Sequence, residues 1–206
     1  MKNIFIISHP EFQEREENLI NAILEIPEIV FHLRKPGLPE QETRDILRKI
    51  NPGFLPRVAL HFHQEVLSPE FDLVRVHFPV EKRKITGKVD LELMAERGLI
   101  RSTSVHFDAE IPACAADYDF VFYGPVWNSI SKPGYYGKIP DVNHFDMSVR
   151  KKLVGIGGVV PEKFELLAEL GFLNAGISGW IWSEPEKIEA KKKILVSSWH
   201  KHGLLS

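Results

Sequence analysis

The stretch STSVHFDAEIPACAADYDFVFYGPVWNSISKPGYYG, residues 102–137, decides how this chain is read. It opens on an alternating strand pattern that stops at His106 and passes through an acidic helix start, Asp108-Ala109-Glu110. It then returns to an apolar strand, Phe120 to Tyr123, which empties into a loop rich in Gly, Pro, Ser and Lys. Two strands that each end in a polar loop describe one side of an active site. What that site does depends on whether the remaining strands supply matching pieces.

Outward from this stretch the same alternation recurs. Toward the N-terminus, Ile4–Ile7, Ile29–Arg34, Val58–His63 and Leu73–Phe78 read as strands. Helical spacing marks Glu11–Glu25, Gln41–Ile50 and Asp90–Arg97, with a short, poorly patterned helix around Glu65–Glu70 and a loop expected over Lys82–Lys88. Toward the C-terminus, Leu153–Ile156 runs into Gly157-Gly158, and Pro161–Leu170 is a helix with Pro at its start and Gly171 past its end. Ala175–Ser178 is an eighth strand, and Ser183-Glu184-Pro185-Glu186 reads as a capping box for a last helix through Trp199. Eight strand units in 206 residues average about 26 residues each, which a (β/α)8 barrel accommodates at its compact end, whereas a doubly wound sheet needs only five or six strands. The expected fold is α/β, a single TIM barrel over residues 1–206.

Composition narrows the function classes. A net charge of -2 and a pI near 6.5 give no electrostatic footprint for nucleic acid. No apolar run is long enough for a membrane span or a signal h-region, so a cytoplasmic protein is expected, without membrane or nucleic-acid partners. The single cysteine, Cys114, excludes an intrachain disulfide and sits among alanines, where a small buried residue is expected.

In a barrel the chemistry gathers at the C-terminal ends of the strands. His32 and Arg34, His61 and His63, His77, and His106 all fall there, and alternation puts His32 with Arg34, and His61 with His63, on one face of each strand. One reading is a metal site in which His61-x-His63 supplies two ligands and His77 or His106 a third. The other is a set of histidines hydrogen-bonding around a polar barrel mouth. No carboxylate stands in ligand register beside His61 and His63, so no metal ligand is assigned. Gly157-Gly158 after the seventh strand and Ser178-Gly179 after the eighth read as a phosphate cup, since backbone N–H groups approach an anion where no Cβ intervenes; the alternative for the glycine pair is a tight turn. Ser131 and Lys132 can add a hydroxyl and a cation to the cup, the alternative for Lys132 being a solvated loop lysine. Trp127, Tyr135 and Tyr136 either wall a ring-shaped ligand or cover the barrel top, while Trp180, Trp182 and Trp199 are expected to pack around the last helix.

These residues resemble a family. Ser104-Val105-His106, Glu110, Ala116-Asp117-Tyr118, Gly124-Pro125-Val126, Ser131-Lys132-Pro133, Gly137, Ile156-Gly157-Gly158-Val159 and Ser178-Gly179 are similar to the thiamine-phosphate synthase pattern through its last four strands. The first half departs from that pattern. His32-Leu33-Arg34-Lys35-Pro36 replaces Gln-x-Arg-x-Lys, His61-Phe62 replaces an Asn-Asp pair that helps hold magnesium, and Phe78-Pro79-Val80-Glu81 lacks a further aspartate. Mg2+ wants such hard oxygens. The resemblance therefore implies the TenI-like thiazole tautomerase branch, which needs no metal and carries its catalytic histidine in the Ser-Val-His motif. On that implication His106 is the general acid/base for a proton shift that aromatises a carboxythiazole phosphate, and Arg34 clamps the substrate carboxylate. His32, His61, His77, Ser104, Ser131 and Lys132 contact the substrate, and Gly157, Gly158, Ser178 and Gly179 hold its phosphate. The implied partner is a small phosphorylated substrate, a homodimer is possible, and no cofactor is needed. The alternatives are the Mg2+-dependent synthase itself and, from another class, a non-catalytic barrel that binds a thiazole or thiamine phosphate.

Overall fold

The computed structural model describes residues 3–128 and 136–203. Eight parallel strands close in sequence order: β1 (Asn3–Ile7), β2 (Ile29–Leu33), β3 (Val58–Leu60), β4 (Arg75–Phe78), β5 (Ile100–Val105), β6 (Phe120–Tyr123), β7 (Leu153–Ile156) and β8 (Asn174–Ile177), with β8 pairing back onto β1. This is the (β/α)8 barrel that the strand count predicts. The sequence places every strand; the differences are at the ends, where Arg34, His61–His63, His106 and Ser178 have already left the ladder.

Strand alternation separates two apolar regions. Ile4, Ile6, Phe31, Leu33, Val58, Leu60, Val121 and Tyr123 point outward into the layer shared with the helices. Phe5, Ile7, Val30, Phe122 and Val154 point inward and fill the barrel axis. Both faces are buried, so the strands read as near-continuous apolar runs. A fully buried Phe or Ile here contributes roughly 1.5–3 kcal/mol, and the axial plug of Phe5 and Phe122, with ring centroids 5.2 Å apart, seals the barrel's lower half.

The outer layer is built from α1 (Glu16–Leu24), α2 (Glu40–Arg48), α3 (Gln64–Glu70), α4 (Val80–Ile85), α5 (Lys88–Glu96), α6 (Ile111–Asp117), α7 (Met147–Arg150), α8 (Phe164–Glu169), the short α9 (Gly179–Trp182) and α10 (Ile188–Gly203). Two expectations are corrected. The segment read as a loop over Lys82–Lys88 is mostly α4, tied down where Arg83 donates to Glu110 at 2.7 Å and to Cys114 Sγ at 3.0 Å. No capping box forms at 183–186: Ser183 Oγ donates to the Trp180 carbonyl, and a 3-10 turn over Pro185–Lys187 leads into α10. Cys114 is buried, as its neighbours imply. Among the described residues no helix is long and apolar enough to cross a membrane.

One buried ion pair straps the β1–α1 connection over the barrel top. Lys35 Nζ donates to Glu16 Oε2 at 2.5 Å and to the carbonyls of His9 and Glu11 at 2.8 Å each. Burial works against both charges, raising the Glu16 carboxyl and lowering the Lys35 ammonium, and their mutual contact offsets it. Glu16 Oε1 has no partner of its own, so removing the lysine leaves a buried carboxylate uncompensated. Lys35→Met should cost about 3–5 kcal/mol in denaturant unfolding, and the double variant with Glu16→Leu should recover most of it. A single variant as stable as wild type would show that the pair carries no such role.

Candidate active site

The C-terminal ends of the strands surround a cavity of about 640 Å³. Its floor is the top of the axial plug. Phe5 meets His32 edge-on at 5.5 Å and Phe122 meets His77 edge-on at 5.2 Å, so a layer of imidazoles rests directly on phenyl rings. His32 from β2, His61 just past β3 and His77 from β4 make up that layer, and all three are buried. Register puts them there. Val58 and Leu60 face the helices, so Ala59 and His61 face the axis; Ile29, Phe31 and Leu33 face out, so His32 faces in.

The layer is tightly bonded. His32 Nδ1 and His61 Nε2 are 3.1 Å apart, and the His61 and His77 rings stack with centroids at 4.0 Å. His77 lies between two serines one face-period apart on β5, with Nδ1 3.0 Å from Ser102 Oγ and Nε2 3.0 Å from Ser104 Oγ. Ser102 Oγ already donates to the Val76 carbonyl at 3.2 Å, so it accepts from His77 Nδ1–H, and the lone pair of His77 stays on Nε2. Burial lowers the basicity of all three. His77 falls to about 3, with the nearby Arg34 charge as a second cause; His32 and His61 fall well below the usual histidine range, with the neighbouring imidazoles adding to burial. The layer is therefore neutral at physiological pH.

Above it stand the charged and hydroxyl groups. The Arg34 backbone N–H donates to Ser8 Oγ at 2.8 Å, while Ser8 Oγ donates to the Arg34 carbonyl at 2.9 Å, locking the β1 and β2 ends together. The half-buried Arg34 guanidinium lines the cavity with no carboxylate partner among the described residues. His106 sits exposed on the opposite rim, where Nδ1 donates to the Gly124 carbonyl at 2.9 Å and Nε2 is left with the lone pair. Its backbone N–H donates to Glu110 Oε2 at 3.1 Å, and Glu110 is held in turn by Arg83.

On the β7–β8 side, Gly157 (φ +95°) and Gly158 (φ +64°) take left-handed backbone that L side chains rarely adopt. A Cβ on Gly157 would lie 2.7 Å from Pro125, and one on Gly158 would lie 2.4 Å from the Asn128 carbonyl oxygen. Both glycines are thus required by close packing against the loop after β6, to which Trp127 N→Gly157 O adds a hydrogen bond of 3.0 Å. That packing leaves their backbone on the cavity wall beside Ser178 and Gly179.

Every expected site residue within the described part of the chain meets in this one cavity: His32, Arg34, His61, His77, Ser104, His106, Gly157, Gly158, Ser178 and Gly179. Ser131, Lys132 and Tyr135 lie outside the described residues. The paired arrangement of His61 and His63 does not form. β3 ends at Leu60, His63 turns into left-handed backbone at φ +57°, and its Nε2 bonds the Leu38 carbonyl away from the cavity. Nor does His106 join the buried trio. Trp180 and Trp182 pack against the core as expected and also line the cavity, and Trp182 Nε1 donates to the Ile7 carbonyl at 2.7 Å; Trp199 packs against Phe164 as expected. Tyr136 is exposed and outside the cavity lining. Sequence reasoning missed Ser102 and the Ser8 clamp. Ser102-x-Ser104 in alternation on one strand was the available signal for the first; the second has none, because it joins positions 26 residues apart.

No protein-family model matches the sequence, and no curated protein matches it. Solved structures do match. The thiamine phosphate pyrophosphorylase from Bacteroides thetaiotaomicron superposes with a TM-score of 0.71 at 20% identity, covering 96% of this chain and 98% of that one. The enzyme of that name from Pyrococcus furiosus gives 0.71 at 15% identity over 97% and 96%. The 3-hexulose-6-phosphate synthase from Salmonella typhimurium gives 0.56 at 12% identity over 98% and 100%. At these identities the likeness is one of fold, and the first two are proteins of the kind that the motifs of the last four strands resemble.

The neutral histidine layer makes stability depend on pH with a defined sign. Each imidazole is uncharged in the native state far below the pH at which it protonates when unfolded, so below about pH 6.5 the unfolded chain binds more protons. For His77 the stabilisation is complete above about 6.5 and is lost as pH falls toward 3. In EDTA-containing buffer, where no added cation competes with protons, each such histidine should steepen the fall by about 1.4 kcal/mol per pH unit. His77→Gln should flatten the slope by one proton's worth, measured as unfolding free energy against pH, and an unchanged slope would place the imidazole's protonation elsewhere.

Proposed function

We propose that this chain is an enzyme of the thiamine-phosphate synthase family that acts on a thiazole phosphate, and that its reaction is a tautomerisation run by His106. The observation that carries the reading is the shared cavity: one rim holds an imidazole with its tautomer set, another an unpaired arginine, and the β7–β8 wall a glycine-lined backbone. Phosphate would sit against Gly157, Gly158, Ser178 and Gly179, where N–H groups can reach it. Arg34 would take the substrate carboxylate bidentately, fixing the ring between the two anchors. Because Nδ1–H is committed to the Gly124 carbonyl, His106 Nε2 is the atom free to accept a proton from the ring's saturated carbon and deliver it to the carbon outside the ring at the far end of the double-bond system, breaking one C–H bond and forming another as the ring becomes aromatic.

The second reading is the synthase, favoured by the fold likeness to the two thiamine phosphate pyrophosphorylases. Diphosphate displacement in that family relies on Mg2+, which prefers carboxylate and water oxygens. Among the described lining residues the only carboxylate is Glu11, exposed on the rim, and where the family pattern has its Asn-Asp pair and further aspartate this chain has His61-Phe62 and Phe78-Pro79-Val80-Glu81. These residues do not fit Mg2+, and no step is derived through it.

With carboxythiazole phosphate as substrate and Mg2+ omitted, the protein should turn over, and His106→Ala should lose a factor of about 10²–10⁴ in kcat while leaving phosphate-substrate binding in place. Formation of thiamine phosphate from the pyrimidine diphosphate and thiazole phosphate, strictly dependent on Mg2+, would replace the tautomerase reading with the synthase. Tight substrate binding with neither turnover would make the barrel a non-catalytic binder.

A further inference from the structure

We propose that His32, His61 and His77 together bind one divalent transition-metal ion of the zinc class at the floor of the cavity. The proposal stands on the three side chains and does not depend on the tautomerase reading.

One nitrogen from each residue lies within 4.8 Å of the others, all three buried. Two imidazole nitrogens bound to one tetrahedral Zn2+ at about 2.0–2.1 Å stand about 3.3 Å apart, and His32 Nδ1 and His61 Nε2 stand 3.1 Å apart. The spacing is that of two ligands sharing one ion. The third donor is prepared independently. Ser102 donates to the Val76 carbonyl and accepts from His77 Nδ1, so the hydrogen bond behind the ring directs the Nε2 lone pair toward the cavity side, where Ser104 Oγ lies. Orienting a ligand through the nitrogen it does not use is how metal-binding histidines are held.

The frame is rigid as well. The donors come from three adjacent strand ends, with His61 N donating to the Leu33 carbonyl at 3.3 Å and Gln64 Nε2 donating to the His77 carbonyl. Phenyl rings beneath exclude water from the inner side, so the remaining coordination position faces the cavity. Three nitrogen donors and no carboxylate select zinc-class ions over Mg2+ or Ca2+. Three neutral ligands also leave the full ionic charge uncompensated beside Arg34, so the open position takes an anionic oxygen: hydroxide, carboxylate or phosphate.

The test uses the full chain, stripped with EDTA and dialysed, then titrated with Zn2+ by calorimetry and with Co2+ by visible absorption. One ion per chain and the absorption of a tetrahedral Co2+ site are expected, with millimolar Mg2+ failing to compete. His61→Asn and His77→Asn, checked for folding by circular dichroism, should bind on the order of 100-fold more weakly, Ser102→Ala about 10–100-fold more weakly, and His106→Ala as tightly as wild type. Loss of His106 activity with retained metal binding, or the reverse, separates this proposal from the tautomerase reading. Absence of Zn2+ and Co2+ uptake by the wild type overturns the site. So does uptake of equal affinity in folded His61→Asn and His77→Asn, which would locate the ion on exposed histidines. Should both histidine variants fail to fold, an unchanged affinity in Ser102→Ala overturns it.

Discussion

A closed sheet of eight parallel strands has no edge, and every second side chain of every strand is forced toward one axis. All else in this molecule follows from how that axis is filled. In its lower part the inward positions are Phe5, Val30, Phe122 and Val154, large enough to exclude water. One step higher the inward positions change character to imidazoles and hydroxyls, and above those the strands end and a cavity opens. The boundary between plug and site is a matter of one residue per strand: Val30 below and His32 above, Phe120 and Phe122 beside Ser102 and Ser104.

Placing three imidazoles on that boundary is energetically expensive, because burial in an apolar setting opposes their protonation and each needs partners for its ring nitrogens. The structure meets the cost with local bonds: His32 to His61, and His77 to Ser102 and Ser104. The result is a neutral, basic-looking layer that carries lone pairs rather than charge. Charge is reserved for the rim, where Arg34 stays half-buried and where Lys35 spends its ammonium on Glu16 and the carbonyls of the β1–α1 connection. Two neighbouring cations on one loop thus divide the work, one facing the cavity and one holding the backbone that frames it.

The glycine pair after β7 shows a related economy. Only glycine fits its left-handed backbone packed against the loop after β6, and that same backbone lines the cavity. Residues that resemble a family's phosphate site are therefore also residues the barrel needs in order to join its sixth and seventh loops. The same loop supplies the Gly124 carbonyl that sets the tautomer of His106. Rim, wall and catalytic candidate share one stretch of backbone, 124–128.

The sequence by itself determined the architecture and brought His32, His61, His77, His106, Arg34, Gly157-Gly158 and Ser178-Gly179 to one cavity. Apolar runs of strand length, separated by helical spacing and repeated eight times, admit few solutions other than the barrel, and period-2 alternation puts His32 with Arg34 on the inner face because backbone geometry alone decides it. It could not determine where β3 stops. His61 and His63 share a face only while the strand continues; the chain turns at His63, which bonds Leu38, and His61 instead joins His32 and His77, residues 29 and 16 positions away in sequence. It could not show that Lys82–Lys88 is mostly helical, since that segment is held by Arg83 reaching Glu110 and Cys114 rather than by its own weak pattern. Nor could it assign tautomers, which are set by Ser102 on a neighbouring strand and Gly124 on another. Local periodicity is a property of the chain, but hydrogen-bond partners and inter-strand spacing exist only once the barrel has closed, and in this protein those are what give the histidines their chemistry.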